Sequence, residues 1–500
     1  MKGNKNNIFK IIAFFLIVTL IAGIFISCAG KTDVKTTEEK ATDDTVIADT
    51  KEEKIYPDLP DVTYDGYTFT FLAHKGDQGW DWIQPEPREL VAEAENAEDP
   101  INDAVYRRNW VIKEKYNIDI EMIVNTDEKS TMKKAVTAGD SKYDAVLMFN
   151  NNVQGIVTGA LLTNISYLPY IDLSKPWWDP AVNALSIDNK NYLLGGDLLM
   201  LDNEGTNALL FNKDLIMQLG KELPYGLVTE GKWTMDKLDE YIRDAASDLN
   251  GDGKMAPADD RWGLLAFNDT MHAFLVGGGG SLAVKDEKDL PVMSFTTERN
   301  LAVIEKTMNI MYNQDYVLNV QARLPSAEWT NIYIGSFEQN RALFMWARMR
   351  VVGKYRGMEA NFGILPMPKF DENQENYRSV VSAYSGVLLG VPKSADELER
   401  VSIILEALAS ESRYTLKPAY YDIVLQRKYV RDNESSEMLD IIFNTRVYDI
   451  GSVYSFNNVF LGYIEMAYKS NRDIVSFYDK NISKMEKAIE KVIGIFQEME

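Results

Sequence analysis

Five hundred residues, 46% hydrophobic and 26% charged, have the composition of a globular protein, and that length points to more than one domain. The 75 acidic residues outnumber the 53 basic ones for a formal net charge of -22. This argues against nucleic acid and anionic lipid as partners, because affinity for phosphate needs a clustered basic surface.

The chain opens with Lys2, Lys5 and Lys10 ahead of an apolar run, IIAFFLIVTLIAGIFIS, that ends at Cys28. The run is short for a spanning helix of about 20 residues, and its basic front and small-residue end are those of an export signal that is removed. Ile26, Ser27, Cys28 and Ala29 resemble the bacterial lipobox, so residues 1–27 are expected to be a lipoprotein signal peptide and Cys28 the lipidated residue. The alternative is an uncleaved N-terminal anchor. Cys28 is the sole cysteine, so no disulfide staples the fold and stability must come from buried cores. Without the leader, 50 basic residues face 75 acidic ones, a formal charge of -25. Residues 28–54 continue as a Thr-rich stretch of mixed charge with no aromatic residue, which predicts a flexible tether.

Residues 55–500 exceed the roughly 250–300 at which one core stops growing, so at least two lobes are expected. YTFTFLA at 67–73 reads as a strand, 102–116 as a helix and NIDIEMIV at 117–124 as a strand. A second helix at 127–138 and YDAVLMF at 143–149 follow. This β-α-β-α-β order predicts a parallel sheet with its ligand crevice at the strands' carboxyl ends. Two polar loops would emerge there, HKGDQGWDW after the first strand and NNN at 150–152 after the third. NALLFN at 207–212, WGLLAF at 262–267, FGILP at 362–366 and SGVLLGVP at 385–392 predict further buried strands. Met235, Leu238, Ile242 and Ala245 after Thr234 mark an amphipathic helix, as do Leu398, Val401, Leu405 and Leu408, and a long one closes the chain from about Ile482 to Phe496. The GGGG run at 277–280 lacks the Lys-Ser/Thr of a phosphate loop and reads as a flexible connector.

Residues 248–259, DLNGDGKMAPAD, spell a calcium-type loop. Asp248, Asn250 and Asp252 offer side-chain oxygens at alternating positions, Gly253 the turn, Lys254 a backbone carbonyl and Asp259 a closing carboxylate. The closing Asp departs from the Glu of an EF-hand and resembles the dockerin type. A bound calcium would be structural; the bland alternative is a metal-free Asp/Asn/Gly turn. Enzymatic signatures are weak: two histidines are too few for an HExxH site, the S-x-x-K at Ser130–Lys133 has no accompanying KTG, and no motif singles out a glycosidase carboxylate pair.

Across most of the chain, INDAVYRRN with EKYNIDI, YLLGGD before LLFNKDLI, WTMDKLDEYI with DLNGDGK and WGLLAF, ALFMWARM with FGILPMPK, and ILEALASES with PAYYD occur in an order that resembles the carbohydrate-type, maltose-binding-protein-like family of extracellular solute-binding lipoproteins of ABC transporters. The resemblance implies an α/β, two-lobed periplasmic-binding-protein-like fold with a ligand cleft between the lobes. It places 55–208 and 363–416 in lobe 1, and 209–362 and 417–500 in lobe 2. It also implies an extracytoplasmic, lipid-anchored, monomeric receptor that is no enzyme and hands its solute to the transmembrane subunits of an ABC permease.

Sugar rings stack on indoles and their hydroxyls need polar partners, so the candidate ligand contacts are Asp77, Trp80 and Trp82 in the first loop, Asn150 and Asn151 in the second, and Tyr384 in SAYSG. Trp346 in ALFMWARM matches the position at which maltose-type binders place a stacking aromatic. Trp177 and Trp178, between prolines, read as structural packing. A carbohydrate, specifically an oligosaccharide, is the expected ligand. A peptide receptor of the same fold is the close alternative, and a surface glycan hydrolase or adhesin the alternative from another class.

Overall fold

The strand Tyr67–His74 is buried on both faces from Phe69 to Ala73, as a strand inside a parallel sheet must be. It pairs in parallel with Ile118–Asn125 along its whole length and with Ala145–Phe149 on the other side, and Val387–Gly390 joins antiparallel at the edge. The computed structural model describes residues 54–76, 87–358, 361–425 and 433–499, and residues 56–500 form one unit. The leader, Cys28 and the predicted tether through residue 53 therefore lie outside the described residues.

Local chemistry explains the crossovers of this first lobe. The helix Pro100–Tyr116 starts where Asp99 accepts the amides of Ile101 and Asn102, with Pro100 preset at the first position, and stops at Asn117 in the left-handed conformation. The helix Glu128–Ala138 is capped by Asp127 and ended by Gly139 at φ 66°. One sheet face packs on Ile112, Tyr116, Trp177, Trp178 and the helix Leu398–Tyr414; the other on Met132, Val153 and Ile156. Trp177 and Trp178 are core residues whose indole nitrogens donate to Glu406, at 3.0 and 2.8 Å.

The second lobe is a mixed five-stranded sheet in the order Phe362–Leu365, Asn207–Asn212, Ala342–Arg348, Trp262–Ala266, Val317–Asn319. Its core collects Trp233, Trp262, the inward face of Met235–Ala245 and the fully buried helix Thr270–Gly277. Among the described residues no helix is long and apolar enough to cross a membrane.

Several details differ from the sequence reading. The strand Phe362–Leu365 belongs to the second sheet, so the return to the first lobe comes after it, before Val387, rather than at 362/363. The closing helix Ile474–Glu498 sends Met485 into the second lobe's core but Ile489, Val492 and Phe496 into the core behind the first sheet, so it spans both lobes. The GGGG run is no flexible connector: a Cβ on Gly277 would lie 2.8 Å from Met367 Cβ, and one on Gly278 2.6 Å from Val303 Cγ1. These glycines permit close helix packing. Residues 150–152 open the helix Asn150–Val157 instead of forming a loop.

Candidate ligand cleft

The carboxyl ends of the parallel strands carry His74 and, after Phe149, Asn150. Between the lobes the chain crosses at residues 204–207 and again at 381–386. The crossings touch backbone to backbone: Ser382 N donates to Gly205 O at 2.9 Å, and a Cβ on Gly205 would sit 2.7 Å from Gly386 N. Only residues without a side chain fit there.

Ser382 is where both lobes meet. Its carbonyl accepts from Asn150 Nδ2 at 3.3 Å, from the first lobe. Its Oγ accepts from Arg348 Nε at 3.2 Å, from the second, and from the amide of Tyr384, also at 3.2 Å. Arg348 is itself buried, pairs with Asp269 through Nη2, and lies over the Trp346 ring with 5.1 Å from Cζ to the centroid. A second ion pair, Arg350 to Glu204 at 2.5 Å, ties the strand end of the second lobe to the first crossing. Burial pushes the Tyr384 hydroxyl pKa up, helped by the charge of Asp269, so the phenol keeps its proton at neutral pH. Beside these groups Phe267, Trp329 and Tyr333 form an edge-to-face aromatic cluster, with Phe267 and Tyr333 centroids 4.5 Å apart.

The sequence candidates fall into three groups. Asp77, Trp80 and Trp82 lie outside the described residues. Asn150, Trp346 and Tyr384, far apart in sequence, come together around Ser382, while Asn151 is exposed on the following helix. Two of the three do not present a free surface. Asn150 is 0% exposed, with Oδ1 buried and without a hydrogen-bond partner among the described residues. Trp346 is 2% exposed, because every residue of its strand, Ala342–Arg348, is buried. Its indole lies against Phe267 and Arg348 rather than offering an open stacking face, and Nε1 is buried without a hydrogen-bond partner among the described residues. Tyr384 is part-buried, its ring 5.5 Å from that of Phe460. Sequence reasoning missed Arg348, Asp269 and the Glu204–Arg350 pair.

The 248–260 loop closes on its own amides. Asp248 accepts from Gly251 and Gly253, Asn250 from Asp252, and Asp252 from Lys254, at 2.6–2.9 Å. The amides hold the Asp248 carboxyl below its usual pKa. The buried Asp260 accepts from the amides of Leu249 and Ala256 and pins the end of the loop, while its neighbour Asp259, the expected closing carboxylate, is exposed. Among the described residues no three acidic, His or Cys side chains gather as a metal cage. The loop thus has the turn and the glycines of a calcium site, with its oxygens turned to backbone N–H groups.

No protein-family model matches the chain, and no curated protein matches it in sequence. Solved structures do match in fold. The sugar-binding protein MalE of Xanthomonas citri superposes with a TM-score of 0.59 at 14% identity, covering 86% of this chain and 99% of that one. MalE of Bdellovibrio bacteriovorus bound to maltotriose gives 0.52 at 15%, over 85% and 100%. An ABC substrate-binding protein of Listeria monocytogenes in complex with cycloalternan gives 0.50 at 12%, over 87% and 100%. The chain has the two-lobed α/β fold of maltose-binding-protein-like solute-binding proteins.

Proposed function

We propose that this protein is a lipid-anchored extracytoplasmic receptor that captures an oligosaccharide between its lobes and delivers it to an ABC import permease, without catalysis of its own. The observation that carries the reading is the junction at Ser382, where side chains of both lobes converge on the crossing segments. Tyr384 and Trp329 stay part-exposed around that buried polar frame, and an aromatic face is what a sugar's C–H face stacks on. The named relatives in fold were solved with maltotriose or cycloalternan, or are described as sugar-binding.

The rest of the reading follows the leader. Cys28 carries the lipid, residues 28–54 hold the monomeric receptor off the membrane, and the permease's transmembrane subunits are its partner. Calcium in the 248–259 loop is structural, with Asp248, Asn250 and Asp252 supplying side-chain oxygens, Lys254 a backbone carbonyl and Asp259 the closing carboxylate.

A solute that bridges two lobes binds the closed form selectively and stabilises it. At a hundredfold excess over Kd the gain is about 2.7 kcal/mol. Maltotetraose, cellotetraose, xylotetraose and mannotetraose, each tested on the full-length chain by thermal melting and small-angle scattering, should include one that raises Tm and reduces the radius of gyration. A shift given by a tetrapeptide panel and by none of the sugars makes the protein a peptide receptor; cleavage of a glycan makes it an enzyme.

A further inference from the structure

His74 ends the first strand at the carboxyl edge of the parallel sheet, the side on which a doubly wound sheet forms its crevice. Its Nδ1 lies 2.6 Å from Glu128 Oε2, and the other carboxylate oxygen, Oε1, accepts from Asn152 Nδ2 at 2.5 Å. Glu128 is 2% exposed and stands in the first turn of its helix, where a carboxylate is favoured by the helix dipole. A carboxylate oxygen only accepts, so Nδ1 carries the hydrogen. The imidazole is therefore locked in one tautomer and one orientation, with the Phe149 ring edge-on at 5.2 Å.

The remaining ring nitrogen is the informative one. Among the described residues Nε2 of His74 has no hydrogen-bond partner, yet it is not one of the polar atoms sealed from solvent, and the side chain is 18% exposed. In the neutral ring it is a lone-pair acceptor aimed away from Glu128. Asn152 belongs to the NNN run that begins beside the Ser382 junction, so the dyad and the junction share one short helix. A buried carboxylate could be satisfied by any donor. A neutral imidazole satisfies it and, unlike Lys or Arg, leaves a second nitrogen that is an acceptor, here on a part-exposed side chain.

We propose that His74 is a ligand-contacting residue of the cleft, its Nε2 accepting a hydrogen bond from a solute hydroxyl, with Glu128 and Asn152 as the positioning groups behind it. The inference rests on the oligosaccharide reading above and adds one specific acceptor to it.

His74→Asn separates the two roles, because an asparagine amide nitrogen takes the place of Nδ1 and nothing replaces Nε2. With the tetrasaccharide that raises the wild-type Tm, the variant should bind about tenfold more weakly while the ligand-free protein melts at the wild-type temperature; tenfold corresponds to one hydrogen bond. The chain holds only two histidines, and His272 is buried against Asp449. Long-range imidazole nitrogen NMR of the full-length chain therefore reports His74 directly, and the tetrasaccharide should move its Nε2 resonance and leave that of His272 in place. A wild-type Tm shift with unchanged affinity in His74→Asn, or with an unmoved Nε2 signal, overturns the role of His74 and leaves the oligosaccharide reading standing. If none of the four sugars shifts the wild-type Tm, that reading fails first and the hydroxyl contact fails with it.

Discussion

Glu406 sits at 0% exposure inside the first lobe, its two oxygens each accepting an indole N–H from Trp177 and Trp178. Burial pushes its pKa up from 4.5 to about 7, the indole hydrogen bonds opposing the shift only in part. Between those two values the folded protein binds more protons than the unfolded chain, so the sign is set: stability is fully present below about pH 4.5 and is lost as pH rises through 7. A shift of that size is worth on the order of 3 kcal/mol, with a steepest slope of about 1.4 kcal/mol per pH unit. Glu406→Gln removes the titrating proton. It keeps one acceptor but sets an NH2 against the other indole donor, at a cost of about 1–3 kcal/mol. Burial also raises Asp202 to about 7 and Asp144 to about 6, and both titrate alike in the two proteins. Urea unfolding followed by tryptophan fluorescence from pH 4.5 to 8 should thus show the wild type's advantage over Glu406→Gln shrinking by on the order of 3 kcal/mol. Parallel curves would falsify the argument that burial holds the proton on Glu406.

Two further outcomes are expected. Trp346→Ala should destabilise the free protein by about 3–5 kcal/mol in urea, because the ring is core in a central strand; a loss of ligand affinity at full stability would show that the indole opens to the cleft. Calcium should raise the wild-type Tm and Asp252→Ala should abolish that increment, whereas an identical melting curve in chelator leaves the loop a simple turn.

Much of the scaffold was legible because it rests on local pattern. Asn207–Asn212 was bounded correctly since a continuous apolar run between polar caps suits a strand buried on both faces. The junction was not legible. Arg348 and Asp269 are 79 positions apart, His74 and Glu128 are 54 apart, and no spacing rule links such pairs before the chain is folded. The resemblance to maltose-type binders suggested Trp346 as a platform, but whether a strand is central or at an edge is decided by partners elsewhere in the chain. The glycine run misled for the opposite reason: flexibility in the unfolded chain and close packing in the folded one ask for the same residue.

The closing helix carries a consequence for biosynthesis. The core that holds Leu72, Val146 and Met148 also holds Ile489, Val492 and Phe496, so a core begun by early residues is completed only by much later ones. At roughly 5–20 residues per second, the 340 positions from Phe149 to Ile489 take roughly 20–70 s to emerge. Until then the cores around the nascent β-α-β-α-β segment lack part of their apolar side chains, and such incomplete cores are prone to capture by other chains. A holding factor that binds extended apolar segment, or threading across a membrane before folding, would shelter it until the final turns arrive.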